Sequence, residues 1–174
     1  MTHAWTFLRR TASAVPCGLI ALTLPIAALA AKPAKEPPKA ATWSAAASKA
    51  DLARGDAAEI VVSVKLEPNW HTFSLTQPKG GPLPTTLELA EPGCVQQAGP
   101  IAQSEFHKRH EPLFDMDVEE FSGSATFRVP VKVRPDAKAG KCALKLVATY
   151  QACDNKICLP PKPVPMDVRL TIKP

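Results

Sequence analysis

The sequence predicts an all-β fold, an immunoglobulin-like antiparallel β-sandwich. The segment EIVVSVKLE, residues 59–67, alternates apolar and polar side chains with a period of two, which is typical of a half-buried strand. Similar short apolar segments follow along the chain, separated by turn signals rich in Gly, Pro and Asn. The chain contains 19 prolines and no segment with convincing helical spacing and caps, so helices longer than about two turns are not expected.

The first 30 residues are predicted to be a signal peptide. Arg9 and Arg10 precede an uncharged run that ends in Ala28-Leu29-Ala30, a small-x-small pattern typical of signal peptidase cleavage. The most apolar part, residues 19–29, is shorter than the roughly 20 residues that cross a bilayer. A retained membrane anchor is therefore the less favoured alternative, and we expect export with no transmembrane segment in the mature chain.

Residues 31–44 are predicted to be a linker, because they are rich in Ala, Pro and Lys and show no apolar periodicity. Residues 45–174 have the size of one domain with one core. Residues 1–30 contain two arginines and no acidic residue, so their removal lowers the net charge from +5 to +3. That balance, with no clustered basic face, argues against a nucleic-acid partner.

Beyond residues 59–67, the pattern predicts five more strands. They are Trp70–Leu75, Thr85–Leu89, Ala125–Val133, Ala143–Tyr150 and Val164–Ile172. The segment 98–120 interrupts the pattern because it is long, polar and mixed, and we predict a loop there. A loop of this length in a small sandwich is either functional or a solvated surface excursion, and composition favours neither.

Four of the five cysteines remain after cleavage: Cys94, Cys142, Cys153 and Cys158. In exported chains, cysteine pairs form disulfides by default. A bridge across the six residues 153–158 would contribute about 2 kcal/mol, and one across the 49 residues 94–142 about 4 kcal/mol. A bridge between Cys94 and Cys142 is therefore better suited to stabilise the fold, and the small hairpin YQACDNKICLPPK is better suited to reversible exchange.

Three interpretations of the hairpin pair remain open on the residues alone. The first is a permanent structural bridge, and the second is a redox-active disulfide. The third is a metal site, in which His107 and His110 would supply further ligands or would bind copper with Met116.

Three segments together resemble the N-terminal periplasmic domain of the DsbD thiol:disulfide interchange proteins, including an ScsB-like subgroup. They are YQACDNKICLPP (150–161), EEFSG (119–123) and NWHTF (69–73), within a resemblance that spans roughly residues 45–173. The chain departs from the best-known members in two ways. Its cysteines are separated by four intervening residues instead of five, and Trp, His and Phe stand where tyrosines are usual.

The resemblance implies an immunoglobulin-like domain that relays electrons between a membrane-embedded thiol reductase and thioredoxin-like oxidoreductases in the periplasm. It implies that Cys158 forms the mixed disulfide with a partner and that Cys153 resolves it. It further implies a cap loop of Glu119, Glu120 and Phe121, with Phe121 as a lid and the two carboxylates disfavouring the thiolate form. The residues expected to line the site are Trp70, His71, Phe73 and Tyr150.

We expect a monomer with no cofactor and no metal, which receives electrons from a separate protein. Cys94 and Cys142 are expected to form a structural disulfide if the fold brings them together. The alternative function is a secreted binding or accessory module with a permanent hairpin disulfide, serving copper handling through its His and Met side chains. Sequence alone does not decide between the two.

Overall fold

The structure of the protein, a computed structural model, describes residues 38–112 and 114–174. The predicted signal peptide, residues 1–30, lies outside the described residues. Every regular element in the described part is a β-strand. This part of the chain has no helix long and apolar enough to span a membrane.

The described residues form twelve strands. These are β1 (Ala41–Ala47), β2 (Asp51–Leu52), β3 (Ala57–Leu66), β4 (His71–Phe73), β5 (Thr86–Glu91), β6 (Val95–Gln97), β7 (Ala102–Gln103), β8 (His107–Glu111), β9 (Met116–Ser122), β10 (Ser124–Val133), β11 (Gly140–Tyr150) and β12 (Lys162–Ile172).

Two sheets enclose the main core. One has the order β1-β3-β10-β6, with β7 also paired to β10, and the other has the order β2-β12-β11-β5. Within both sheets the strands run antiparallel, except for the parallel pair β2 and β12. Ile60 and Val62 of β3 pack in this core with Phe127 of β10 and Leu146 of β11, all fully buried. Each such side chain contributes about 1.5–3 kcal/mol to folding.

The predicted fold class is confirmed: the chain is an all-β, immunoglobulin-like antiparallel sandwich. In β3 the predicted face of Ile60, Val62, Val64 and Leu66 is buried. The periodicity is easy to read here because β-branched side chains alternate with polar ones along the strand.

Strand β1 begins at Ala41, so the last residues of the predicted linker 31–44 belong to the sandwich. It pairs antiparallel with β3 along its whole length, and the Trp43 ring stacks on Phe127 with 5.9 Å between ring centroids. The alternation of this strand is carried mainly by alanines, which are too small to give a clear apolar period.

The predicted loop 98–120 is largely strand, which corrects the sequence expectation. It contributes β7, β8 and most of β9, and β8 and β9 form a hairpin. This hairpin joins β4 in a third sheet of order β4-β9-β8. The third sheet positions the cysteine hairpin.

Candidate functional site

Cys153 and Cys158 form a disulfide across a tight hairpin, with 4.0 Å between their Cα atoms. The Asp154 N–H donates to the Ile157 carbonyl at 2.9 Å, and the Leu159 N–H donates to the Ala152 carbonyl at 2.8 Å. These bonds flank the two cysteines, so they are a non-hydrogen-bonded antiparallel pair, the kind in which side chains approach most closely. The backbone geometry thus favours closing and opening this bridge without rearrangement of the hairpin.

Asp154 shapes the turn between the two cysteines. Its Oδ1 atom accepts hydrogen bonds from the backbone N–H groups of Lys156 and Ile157, both at 2.8 Å. An Asp side chain commonly closes a turn in this way. The hydrogen bonds from Ile157 and Lys156 lower the pKa of Asp154, so a negative charge stays beside the disulfide at neutral pH.

Cys153 also pairs with His71 on its other side. The N–H of each residue donates to the carbonyl of the other, both at 3.0 Å. Residues that exchange both bonds stand directly opposite each other, with their side chains on the same face of the sheet. The hairpin therefore extends the third sheet beyond β4.

One face of this extended sheet forms the site. Strand register places nine further side chains on the face that carries Cys153 and Cys158: His71, Phe73, His107, Arg109, Glu111, Met116, Val118, Glu120 and Ser122. Phe73, Val118 and Cys153 are buried together, with Met116 and Cys158 packed against them. A small cavity of about 80 Å³ opens at the disulfide and is lined by both cysteines, His71, Glu111 and Phe114, among other residues.

Arg109 links the two carboxylates of this face. Its Nη2 atom donates to Glu111 Oε2 at 2.8 Å and to Glu120 Oε2 at 3.0 Å. The Glu120 side chain is only 11% exposed, and burial of a carboxylate is costly unless the group is paired. Arg109 thereby neutralises a carboxylate that would otherwise repel a nearby thiolate.

His71 lies between this ion pair and the disulfide. Its Nε2 atom is 3.8 Å from Glu120 Oε2, and its ring meets Phe73 edge-on with 5.6 Å between centroids. Burial lowers the pKa of His71 below its usual range, although the Glu120 charge acts in the opposite direction. The imidazole is therefore mainly neutral at pH 7 and can act as a base.

The family model for "Thiol:disulfide interchange protein DsbD, N-terminal" matches residues 39–167. The chain belongs to this family. Membership supports a thiol–disulfide exchange domain that interacts with thiol oxidoreductases. Comparison with curated protein sequences finds no match.

Two solved structures are similar to the chain. The DsbD N-terminal domain of Neisseria meningitidis, in the reduced form, is 17% identical with a TM-score of 0.44, covering 64% of this chain and 77% of that one. The N-terminal periplasmic domain of ScsB from Proteus mirabilis is 15% identical with a TM-score of 0.51, covering 77% of this chain. The match spans 48% of the ScsB chain, about half its length. The ScsB likeness supports the same fold.

In this member of the DsbD N-terminal family, the predicted lid residue Phe121 does not pack with the cysteines. It is 2% exposed and lies in the main core, 5.6 Å from Phe127 and 6.4 Å from Phe106 between ring centroids. Successive residues of a strand point to opposite faces. Glu120 reaches the site face, so its neighbour Phe121 points into the sandwich.

Glu119 also points away from the site face. It accepts hydrogen bonds from Ser74 Oγ at 2.6 Å and from Thr76 Oγ1 at 2.5 Å, and it lies 3.8 Å from Lys108 Nζ. Burial opposes ionisation of Glu119, but these bonds outweigh it and lower the pKa of Glu119. The carboxylate therefore anchors the segment after β4 and has no direct role at the disulfide.

Trp70 and Tyr150, both predicted to line the site, lie in a separate apolar cluster with Ala40 and Ala152. Tyr150 packs against Trp43 with 5.1 Å between ring centroids, and burial raises the pKa of its hydroxyl. Trp70 precedes β4 and lines a cavity together with His71, Arg109 and Glu120 of the site face. Tyr150 therefore packs away from the disulfide, whereas Trp70 lies beside the site face.

Phe114 is the aromatic residue that sequence reasoning missed. It stands at the tip of the β8–β9 hairpin and lines the cavity at the disulfide. A Cβ atom added to Gly81 would lie 2.6 Å from Met116 Sδ and 3.6 Å from Phe114 Cγ, so the glycine loop packs closely against both. In the sequence, Phe114 is an aromatic residue between two polar segments. That position indicates a role at the disulfide only once the two segments are known to pair as a hairpin.

The metal alternative required His107 and His110 to act together. They are three residues apart in β8, so their side chains point to opposite faces of the sheet. His110 instead lies 3.5 Å from Asp115 Oδ1 and 3.4 Å from Asp117 Oδ1. Within residues 38–112 and 114–174, no group of three or more His, Cys, Asp and Glu side chains is arranged to hold a metal ion.

Cys94 and Cys142 form a second disulfide, the pairing that the sequence left open. Cys94 precedes β6 of one sheet, and Cys142 lies in β11 of the other, so the bond ties the two layers of the sandwich together. At Gly93 a Cβ atom would lie 2.5 Å from the Ala143 carbonyl oxygen, and φ is +58°. Glycine thus permits the close approach that brings Cys94 to Cys142.

Proposed function

We propose that the protein is a periplasmic thiol–disulfide exchange domain that relays electrons through the Cys153–Cys158 pair. It would take electrons from a membrane-embedded thiol reductase and pass them to thioredoxin-like oxidoreductases. The observation that carries this proposal is the position of the disulfide. It lies across a tight hairpin at a small cavity, beside ionisable groups that can serve proton transfer.

The difference in burial between the two cysteines supports separate roles. Cys153 is 3% exposed, whereas Cys158 is partly exposed. A partner sulfur can reach the more accessible atom, so Cys158 forms the mixed disulfide and Cys153 resolves it.

The exchange is balanced as two displacements at sulfur. The Cys158 thiolate attacks a partner disulfide, forms a mixed disulfide and releases one partner thiolate. Cys153 then attacks Cys158, closes the hairpin disulfide and releases the second partner thiolate. Two electrons pass to the partner, and the reverse sequence reloads the domain from a dithiol of the reductase.

Phe114 takes the role of lid in this proposal. It stands beside the disulfide on the hairpin tip, and the glycine loop at Gly81 packs against it. A lid at a hairpin tip can move without disturbing the sandwich, because it is not part of the main core. In the closed position it limits access of small oxidants, and a docking partner would displace it.

Thiol mapping in defined redox buffers tests the proposal. The protein is equilibrated in glutathione buffers of graded potential, alkylated and mapped by mass spectrometry. We expect Cys153 and Cys158 to open at a potential above about −300 mV, the range of exchanging disulfides, while Cys94 and Cys142 stay bridged. The variants Cys153→Ser and Cys158→Ser provide the matched pair: the first should accumulate a mixed disulfide with glutathione, and the second should not. A hairpin disulfide that stays closed throughout would contradict the proposal.

A further inference from the structure

We propose that His71 is the acid–base residue of the exchange at Cys153. It would accept the thiol proton of Cys153 as that sulfur attacks the mixed disulfide, and return it to the departing partner thiolate. The inference rests on the proposed function and adds a residue to its site.

The first argument is strand register. His71 and Cys153 exchange both backbone hydrogen bonds at 3.0 Å, so their side chains project from the same face. The Cβ atoms of such a pair are about 5 Å apart, within reach of an imidazole and a thiol. Both side chains line the small cavity at the disulfide, where Cys158 and an incoming partner sulfur meet.

The second argument is that Cys153 needs a base. Its side chain is 3% exposed and packs with Phe73 and Val118. Apolar surroundings disfavour the thiolate, which is the form that attacks a disulfide. A neutral imidazole next to the thiol removes this obstacle without placing a permanent charge in the apolar cluster.

The third argument is that His71 is held in place and kept neutral by its surroundings. Glu120 of β9 lies 3.8 Å from Nε2, and Arg109 of β8 fixes that carboxylate at 3.0 Å. Glu111 of β8 and Asp154 of the hairpin turn also face the imidazole, and both stabilise its protonated form. Burial and, to a smaller extent, the charge of Arg109 keep the pKa of His71 below its usual range, so the three carboxylates support the imidazolium transiently while the resting group stays neutral.

Protons and electrons are conserved in this step. Neutral His71 takes the proton of the Cys153 thiol and becomes imidazolium. The Cys153 sulfur bonds to Cys158 Sγ, and the bond from Cys158 to the partner sulfur breaks with its electron pair on the partner. The imidazolium protonates that thiolate, which leaves a partner thiol, neutral His71 and the hairpin disulfide.

A stopped-flow experiment with the disulfide probe 5,5′-dithiobis(2-nitrobenzoate) isolates the first half of this step, the transfer of the Cys153 proton to His71, because nitrothiobenzoate departs and remains as a thiolate. The protein is reduced with limiting dithiothreitol, freed of reductant, and checked by mass mapping for an intact Cys94–Cys142 bond. The first nitrothiobenzoate is released when Cys158 attacks, and the second when Cys153 resolves the mixed disulfide. We expect His71→Gln to slow the second phase at least about tenfold at pH 7. His110→Ala, which removes an exposed histidine on the opposite face of β8, should match the wild type.

The pH profile separates proton transfer from a structural effect. In the wild type the second-phase rate should level off once His71 is neutral. In His71→Gln it should keep rising about tenfold per pH unit up to the thiol range, because only the pre-formed thiolate attacks. A second-phase rate and pH profile equal to those of the wild type would overturn the inference. So would equal slowing of both phases with the wild-type pH profile.

A measurement on the wild-type protein tests the same role of His71 without relying on the correct folding of a variant. The His71 ring proton is followed by NMR through a pH titration in the disulfide and dithiol states. A titration midpoint that differs between the two states supports coupling to Cys153, and identical curves contradict it. If the wild type releases no second nitrothiobenzoate, Cys153 does not resolve and the proposed function itself fails. Release of both with no effect of His71→Gln leaves that function intact and removes only the role of His71.

Discussion

Glu120 and Phe121 are consecutive residues of β9, and their side chains point to opposite faces of the strand. Glu120 meets Arg109 at 3.0 Å on the face that carries the disulfide. Phe121 packs with Phe127 in the main core. A strand alternates its side chains at every residue, so a motif of adjacent residues is divided between the two faces. The carboxylate and the aromatic ring therefore serve different parts of the molecule.

This division predicts different effects for two aromatic substitutions. Phe114→Ala should increase the rate at which the reduced protein reacts with hydrogen peroxide and with small disulfides, because it opens the cavity at Cys158. Phe121→Leu should leave that rate unchanged and lower the free energy of unfolding by about 1–2 kcal/mol, because it removes volume from a closed core. Oxidation kinetics and urea unfolding of both variants measure the two effects. Faster oxidation in Phe121→Leu alone would show that Phe121 is the lid.

The sandwich could be predicted because its strands alternate β-branched and polar residues. Residues 59–67, 125–133 and 164–172 carry that pattern, and all three are strands in the structure. The β8–β9 hairpin could not be predicted this way, because both of its faces carry charge. Arg109 pairs with both Glu111 and Glu120 on the site face, so charged residues occupy positions where apolar periodicity would otherwise appear.

The site was predicted in part. Local sequence identified Cys153 and Cys158, and the resemblance added His71, Phe73 and Glu120, all of which the structure brings to one face. Arg109 and Phe114 were missed because they come from a segment predicted to be a loop. Which residues of a motif share a face depends on pairing register, and register is set by contacts between segments distant in the chain.

Arg109 should stabilise the fold by compensating the buried Glu120 charge. Arg109→Gln is expected to lower the free energy of unfolding by about 2 kcal/mol, less than for a fully buried pair because the arginine side chain is 39% exposed. The double variant Arg109→Gln/Glu120→Gln should recover part of the loss, since the buried Glu120 charge is then absent. Urea denaturation measures both. Arg128→Gln, which breaks the exposed pair with Glu59, is the control and should cost less than about 1 kcal/mol. Equal losses in Arg109→Gln and Arg128→Gln would contradict this account.

Glu119 should make stability depend on pH in the acid range. Burial opposes its ionisation, but hydrogen bonds from Ser74 and Thr76 lower the pKa of Glu119 below its ordinary value. A carboxyl with a lowered folded-state pKa contributes stability above its unfolded pKa and loses it as the pH falls through the folded value. Glu119→Gln should therefore be less stable than the wild type by about 1–2 kcal/mol at pH 7. The difference should shrink as the pH falls from about 5 to about 3.

Urea unfolding at several pH values measures this difference. Glu88→Gln, at an exposed position of β5, is the matched control and should show a small effect of constant size. A Glu119→Gln deficit that stays the same from pH 7 to pH 3 would mean that the loss comes from packing and not from the charge.

The two disulfides should differ in what their removal does to the protein. The Cys94–Cys142 bond joins residues 48 apart in sequence, and the Cys153–Cys158 bond joins residues 5 apart. A disulfide lowers the conformational entropy of the unfolded chain, and this effect is larger for a longer loop. The double Ala variant of the first pair should therefore lose about 4 kcal/mol of unfolding free energy, and that of the second pair about 2 kcal/mol. Exchange with a small disulfide probe should be lost only in the second variant. Urea unfolding and thiol release measure these outcomes on the same samples. If the Cys94–Cys142 variant loses exchange while its fold is retained, the relay involves both pairs. The assignment of Cys94–Cys142 as a structural disulfide and of Cys153–Cys158 as the reactive one would then be wrong.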